Sequence, residues 1–66
     1  MKNKLKVERA KLNLTQQELA DKIGVSRQTI NSIEADRYVP STILAIKISN
    51  VFKTTVNDIF LLEDDE

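Results

Sequence analysis

The sequence predicts an all-α fold of five short helices in one small domain. Three observations predict it. Helix breakers are scarce, because Gly24 and Pro40 are the only glycine and proline in 66 residues. Apolar side chains recur at helical spacing, as in Leu19–Ala20–Ile23 and Ile30–Ile33. Hydroxyl residues stand where helices would begin, at Thr15, Ser26, Ser41 and Thr54–Thr55.

The first helix is expected over Lys4 to Leu12. Leu5, Val7, Ala10 and Leu12 form its apolar stripe, with Lys6, Glu8, Arg9 and Lys11 outside. It stops near Asn13, a residue suited to a helix end. The second runs from Thr15 to Ile23. Thr15 and Glu18 have the spacing of a capping box, in which hydroxyl and carboxylate each satisfy a first-turn N–H. Leu14 precedes the cap as a hydrophobic staple, and Gly24 ends the helix where a left-handed residue is wanted.

Ser26 caps the third helix, which reaches about Ala35. Only Val25 separates Gly24 from Ser26, so the second and third helices must diverge steeply. "ADRYVPS" is a loop in which Pro40 breaks the chain and Ser41 starts the fourth helix. Ile43, Leu44, Ile46, Ile48, Val51 and Phe52 make that helix apolar over a wide arc, which predicts a central, buried position. The fifth helix starts near Thr54 or Thr55, with Asp58 in its first turn and Val56, Ile59 and Phe60 on its apolar side. Beyond it, Phe60–Leu61–Leu62 is placed to pair as a strand with residues 1–5. That pairing would bring Lys2 or Lys4 opposite Glu63 or Asp64.

The bulk numbers narrow the chemistry. A chain of this length buries only about 60% of its unfolded surface, so packing, caps or a partner subunit must hold it together. It has no cysteine and no histidine, hence no disulfide, no thiolate for zinc and no imidazole base. There is no phosphate-cradling glycine loop and no paired-carboxylate pocket. These gaps argue against an enzyme and call for no metal and no cofactor. The N-terminus lacks the apolar run of a signal peptide, and no stretch is long enough for a membrane span. A cytoplasmic, soluble protein is expected.

Net charge is zero but segregated. Residues 1–60 hold all ten Lys and Arg beside six acids, leaving +4, and Glu63 to Glu66 supply −4. Such a tail serves solubility, or it folds over basic residues and keeps the body off polyanions. Lys2, Lys4, Lys6, Arg9 and Lys11 read first as a solvated face, with a patch for DNA as the alternative.

The third helix carries the most specific signal. Advancing about 100° per residue turns Ile30 and Ile33 inward. Gln28, Asn31 and Ser32 then fall on the far side, with Arg27 and Thr29 on the flanks. These side chains match what a major groove displays: Arg pairs with guanine, Gln and Asn with adenine, Ser with either. A solvated helix also presents a polar face, so the face alone leaves both readings open.

"TQQELADKIGVSRQTINSIE", residues 15–34, resembles the helix-turn-helix of the XRE family, the Cro/CI type of phage and bacterial repressors. In that frame Ala20 is the small residue that lets the helices approach, Gly24 is the turn, and Ile30 and Ile33 are packing positions. "YVPSTILAIKISNVF" and "TTVNDIF" resemble the family's later helices, so the likeness covers about residues 3–60. It implies a five-helix lambda-repressor-like helix-turn-helix domain over residues 1–66, with its motif at 16–35. The "NDIFLLEDDE" end looks most like small dimeric repressors of the cytolysin-repressor kind.

The resemblance implies roles. Arg27, Gln28, Asn31 and Ser32 match base-contacting positions. Gln16, Thr29, Arg37 and Tyr38 match positions that contact phosphate, Gln16 also steadying the recognition helix. Gln16 as a plain solvent residue, Arg37 paired with Asp36 or Glu34, and Tyr38 packed over Pro40 or the end of the fourth helix are the bland alternatives. Two departures stand out: Thr55, where relatives often have proline, and Asp36, an acid close to phosphate. The resemblance implies double-stranded operator DNA as a partner. Val56, Ile59, Phe60 and Leu62 are more apolar than an isolated surface helix needs, so they are expected, with part of the fourth helix's end, to form an interface with a second copy of the chain. Ile59 and Phe60 have the further option of closing the monomer core. The expected function is a sequence-specific transcriptional regulator, a repressor on a palindromic operator. The rival is a protein-interaction module, and a protein co-regulator stays open as a partner.

Overall fold

The computed structural model describes residues 1–66. Its order is β1 (Lys2–Asn3), α1 (Leu5–Lys11), α2 (Gln16–Ile23), α3 (Arg27–Glu34), α4 (Thr42–Phe52), α5 (Val56–Ile59) and β2 (Phe60–Leu61). All five expected helices are present, each within two residues of its expected start. Their caps explain the boundaries. Thr15 accepts from the Glu18 N–H while Glu18 accepts from the Thr15 N–H, completing the capping box. Ser26, Ser41 and Thr55 accept from the N–H groups of Thr29, Leu44 and Asp58. Thr55 is therefore the cap, and Thr54 joins it by donating to the Asp58 carboxylate.

The termini pair antiparallel, Lys2 opposite Leu61 and Asn3 opposite Phe60. The charge pairing expected across this ribbon does not form. The Met1 ammonium, not a lysine, lies 3.0 Å from Glu63 and 3.2 Å from Glu66, while Lys2 reaches Asp36 at 3.5 Å. The tail is thus held beside the chain start by a different cation.

One apolar cluster unites the elements, with Leu5, Leu19, Ile30, Ile33, Ile48 and Ile59 its largest fully buried side chains. Only 13 of 66 residues are buried, a small core by any measure. Two sequence expectations need correction. In α1 only Leu5 is buried, and Val7, Ala10 and Leu12 face out. The true inner face is Leu5 with Arg9, one turn on, and the supposed stripe does not have the period of a helix. In α4 the inner face is Leu44, Ala45, Ile48 and Ser49, at positions i, i+1, i+4 and i+5. Ile43 and Ile46 stay 70% and 48% exposed, so the helix is buried along a stripe and not around its girth. Ser49 tolerates burial because its hydroxyl donates to the Ile46 carbonyl at 2.8 Å. No helix is long and apolar enough to cross a membrane.

Candidate nucleic-acid interface

α2 and α3 make the most extensive helix–helix contact in the molecule. Gly24 joins them at φ 75°, ψ 36°. A Cβ there would meet nothing within 4 Å, so glycine serves the left-handed backbone and not a lack of room. Ser26 then starts α3 at once. With Ile30 and Ile33 buried, Arg27, Gln28 and Asn31 are exposed, and Thr29 and Ser32 are half-buried on its flanks.

A chain of hydrogen bonds aims part of this face. Arg9 donates to both Glu34 oxygens, Nε to Oε2 at 2.6 Å and Nη2 to Oε1 at 3.0 Å, and Nη1 donates to the Leu14 carbonyl at 2.8 Å. Gln16 Nε2 donates to Glu34 Oε1 at 3.1 Å and to Asn31 Oδ1 at 3.3 Å. Gln16 Oε1 in turn accepts from Arg27 Nη1 at 3.4 Å. Gln16 is therefore half-buried and engaged, not a free first-turn residue. Burial pushes the Glu34 carboxyl up, but the bonds from Arg9 and Gln16 outweigh it and hold the group below the usual carboxylate range. The same pairing raises the Arg9 guanidinium further.

The remaining candidates gather elsewhere. Gln28, Thr29, Ser32, Arg37 and Tyr38, with Ser26, line one open depression beside α3. The Thr29 hydroxyl lies 3.0 Å from that of Ser26. Tyr38 is 46% exposed and also lines a second depression with Ser41, Ile43 and Leu44 at the start of α4. Arg37 does not pair with Asp36 or Glu34; Asp36 turns instead to Asn3 and Lys2, and Glu34 to Arg9. Of the lysines of the first segment, Lys11 pairs with Glu8 and Lys2 with Asp36, while Lys4 and Lys6 are exposed. Arg9 is partly buried and turned to Glu34.

Sequence reasoning missed Arg9 and Glu34. A signal existed: Arg9 falls one turn after Leu5, on the side that must be buried, and a buried cation requires an acid. Ile59 and Phe60, expected at a subunit face, are 0% and 7% exposed and close the core of one chain. Val56 is half-buried and Leu62 is 76% exposed.

A capped helix, a left-handed glycine and a second helix with an outward hydrogen-bonding face define a helix-turn-helix DNA-binding domain. Comparison with known proteins specifies the kind. A family described as Helix-turn-helix matches residues 5–59. A transcriptional regulator of the HTH type from Methanocaldococcus jannaschii is 59% identical over 66 residues, covering the whole of both chains. YgzD, an HTH-type regulator of Bacillus subtilis, is 45% identical over 65 residues, 98% of each chain. The crystal structure of the clp gene regulator ClgR from Corynebacterium glutamicum superposes with a TM-score of 0.75 at 28% identity, over 82% of this chain and 57% of that one. The chain belongs to the XRE-type helix-turn-helix family of transcriptional regulators.

Proposed function

We propose that the protein is a repressor that binds a palindromic operator as a homodimer, with α3 in the major groove. One observation carries the reading: Arg27, Gln28 and Asn31 project from α3 without being consumed by the core, and Gln16 holds two of them in place. In this reading Arg27, Gln28, Asn31 and Ser32 address base edges. Gln16, Thr29, Arg37 and Tyr38 address phosphates on either side. An interaction module would carry apolar side chains on the outer face of α3, and this helix carries none.

Pairing of two chains supports the rest. One such helix reads few base pairs, too few to single out a site among ~10⁶ competitors. An apolar groove lies between the terminal ribbon and α4, lined by Met1, Val39, Pro40, Ile46, Val56 and Phe60. Val39 and Ile46 are 60% and 48% exposed there. A second copy on this groove would enlarge a small core, and reading two half-sites would require the two α3 helices to lie about one DNA turn apart, ~34 Å.

Selection of random duplexes by the pure protein, with sequencing of those retained, tests the reading. An inverted repeat with half-sites one turn apart is the expected result. Retention of no sequence above background would overturn it.

A further inference from the structure

The Asn3 side chain touches three elements. Its Oδ1 accepts from the Leu5 N–H at 3.1 Å, at the start of α1. Its Nδ2 donates to the Ile33 carbonyl at 2.8 Å, near the end of α3, and to Asp36 Oδ1 at 2.9 Å. Its backbone is registered against Phe60 in the ribbon. Lys2, one residue earlier, brings Nζ to 3.5 Å from the other Asp36 oxygen. Both oxygens of Asp36 are thus engaged by β1. Asp36 itself sits at φ 61°, and the next two residues are Arg37 and Tyr38. A carboxylate beside two phosphate-facing residues is a like charge next to a polyanion, and like charges brought together weaken association.

We propose that Asn3 is a positioning residue for DNA binding: it holds the Asp36 carboxylate against β1, turned from the phosphates that Arg37 and Tyr38 meet. The proposal rests on the DNA-reading function above. Asn3 touches no DNA in this scheme. It acts through Asp36, and it fixes the loop after α3 to a strand formed by the two ends of the chain. An acid in this loop is tolerated because the chain supplies an amide and an ammonium to occupy it.

The test uses the full chain and a duplex retained by it in the selection. Asn3→Ala is expected to lower affinity roughly fivefold, the scale of one like-charge contact at a wet surface, with sequence preference unchanged. The deficit should shrink as salt rises, because the repulsion is screened. Adding Asp36→Asn, which keeps the left-handed turn accessible and removes the charge, should restore the affinity. Asn3→Ser retains a short oxygen for the Leu5 N–H; where Asn3→Ala does not fold, it should show the same loss and the same rescue. A folded Asn3 variant with wild-type affinity would overturn the proposal. So would a loss that Asp36→Asn fails to rescue, which would make Asn3 a bracket for α1 and α3 only. A wild-type chain that retains no duplex would instead overturn the DNA-reading function, and the proposal with it.

Discussion

Arg9 meets Glu34 edge to edge, two N–H groups on two oxygens at 2.6 and 3.0 Å, with side chains only 13% and 8% exposed. Fork-on-fork geometry of this kind is directional and ties α1 to the end of α3. Removing one partner leaves the other charge with little water. Arg9→Ala is therefore expected to cost ~2–4 kcal/mol of stability, towards the buried end of the range for broken ion pairs. The double variant Arg9→Met, Glu34→Leu should recover most of that loss, since apolar replacement of both members is often near neutral. It should not recover DNA affinity, because Gln16 then lacks the carboxylate that orients it towards Arg27. Urea unfolding and a binding titration on the same samples separate the two effects.

The same carboxylate makes stability depend on acid. Glu34, Glu18 and Asp58 are all held below their ordinary values. In Glu34 burial pushes upward and the bonds from Arg9 and Gln16 overcome it, in Glu18 the Thr15 backbone leads, and in Asp58 the Thr55 hydroxyl leads. Folding lowers these values, so each contribution is complete above the ordinary carboxyl value and is lost as pH falls through the folded one. Thermal melts should thus be flat from neutral pH down to about 5 and fall steeply below it. Glu34→Gln should lower stability at neutral pH and flatten the acid slope. An unchanged slope in that variant would remove Glu34 from the account.

Two left-handed residues should respond oppositely to substitution. Gly24 at φ 75° has open space where a Cβ would go, so Gly24→Ala meets backbone strain alone and should cost about 1 kcal/mol. Lys53 at φ 53° ends α4 in the same conformation with a side chain present. Lys53→Gly should stabilise by ~0.5–1 kcal/mol, strain relief exceeding the added freedom of the unfolded chain. For a domain of this size that is a rise of about 2–8 °C in melting temperature.

The helix starts were legible because caps are local: Thr15, Ser26 and Ser41 announce themselves by residue type and by the next few side chains. The outward face of α3 was legible because Ile30 and Ile33 fix its rotation. α1 was not, since a seven-residue helix holding one core leucine gives no period, and its second inward residue is a cation. What rescues Arg9 is Glu34, 25 residues away, and no local rule reports a contact of that span. The ribbon was visible as an apolar run after α5. Its charge partners were not, because Lys2 is drawn to Asp36 by the end of α3.

Burial of Ile59 and Phe60 moves the test of dimerisation to side chains that the fold does not require. Ile59→Asp would unfold the monomer and say nothing about pairing. Ile46→Asp and Leu62→Asp place a charge on exposed positions, 48% and 76% accessible, and should leave the helical signal intact. Light scattering at micromolar concentration should report a dimer for the wild type and a monomer for Ile46→Asp. A monomeric wild type would remove the dimer.

Base reading and phosphate contact differ in their response to salt and sequence. Gln28 is exposed and makes no side-chain bond within the chain, so Gln28→Ala changes nothing in the fold. It should cost ~1–3 kcal/mol of specific binding and relax preference at one position of the half-site. Arg27→Ala should act likewise, with a small further loss as Gln16 is freed. Arg37→Ala should instead weaken all duplexes alike and reduce the salt slope by about 1 per subunit engaged. The assignment of Arg27 and Gln28 to bases and Arg37 to phosphate fails if these signatures are exchanged, or if both α3 variants keep full operator affinity. Circular dichroism unchanged in all three variants ensures that the measured losses belong to the DNA-facing side chains.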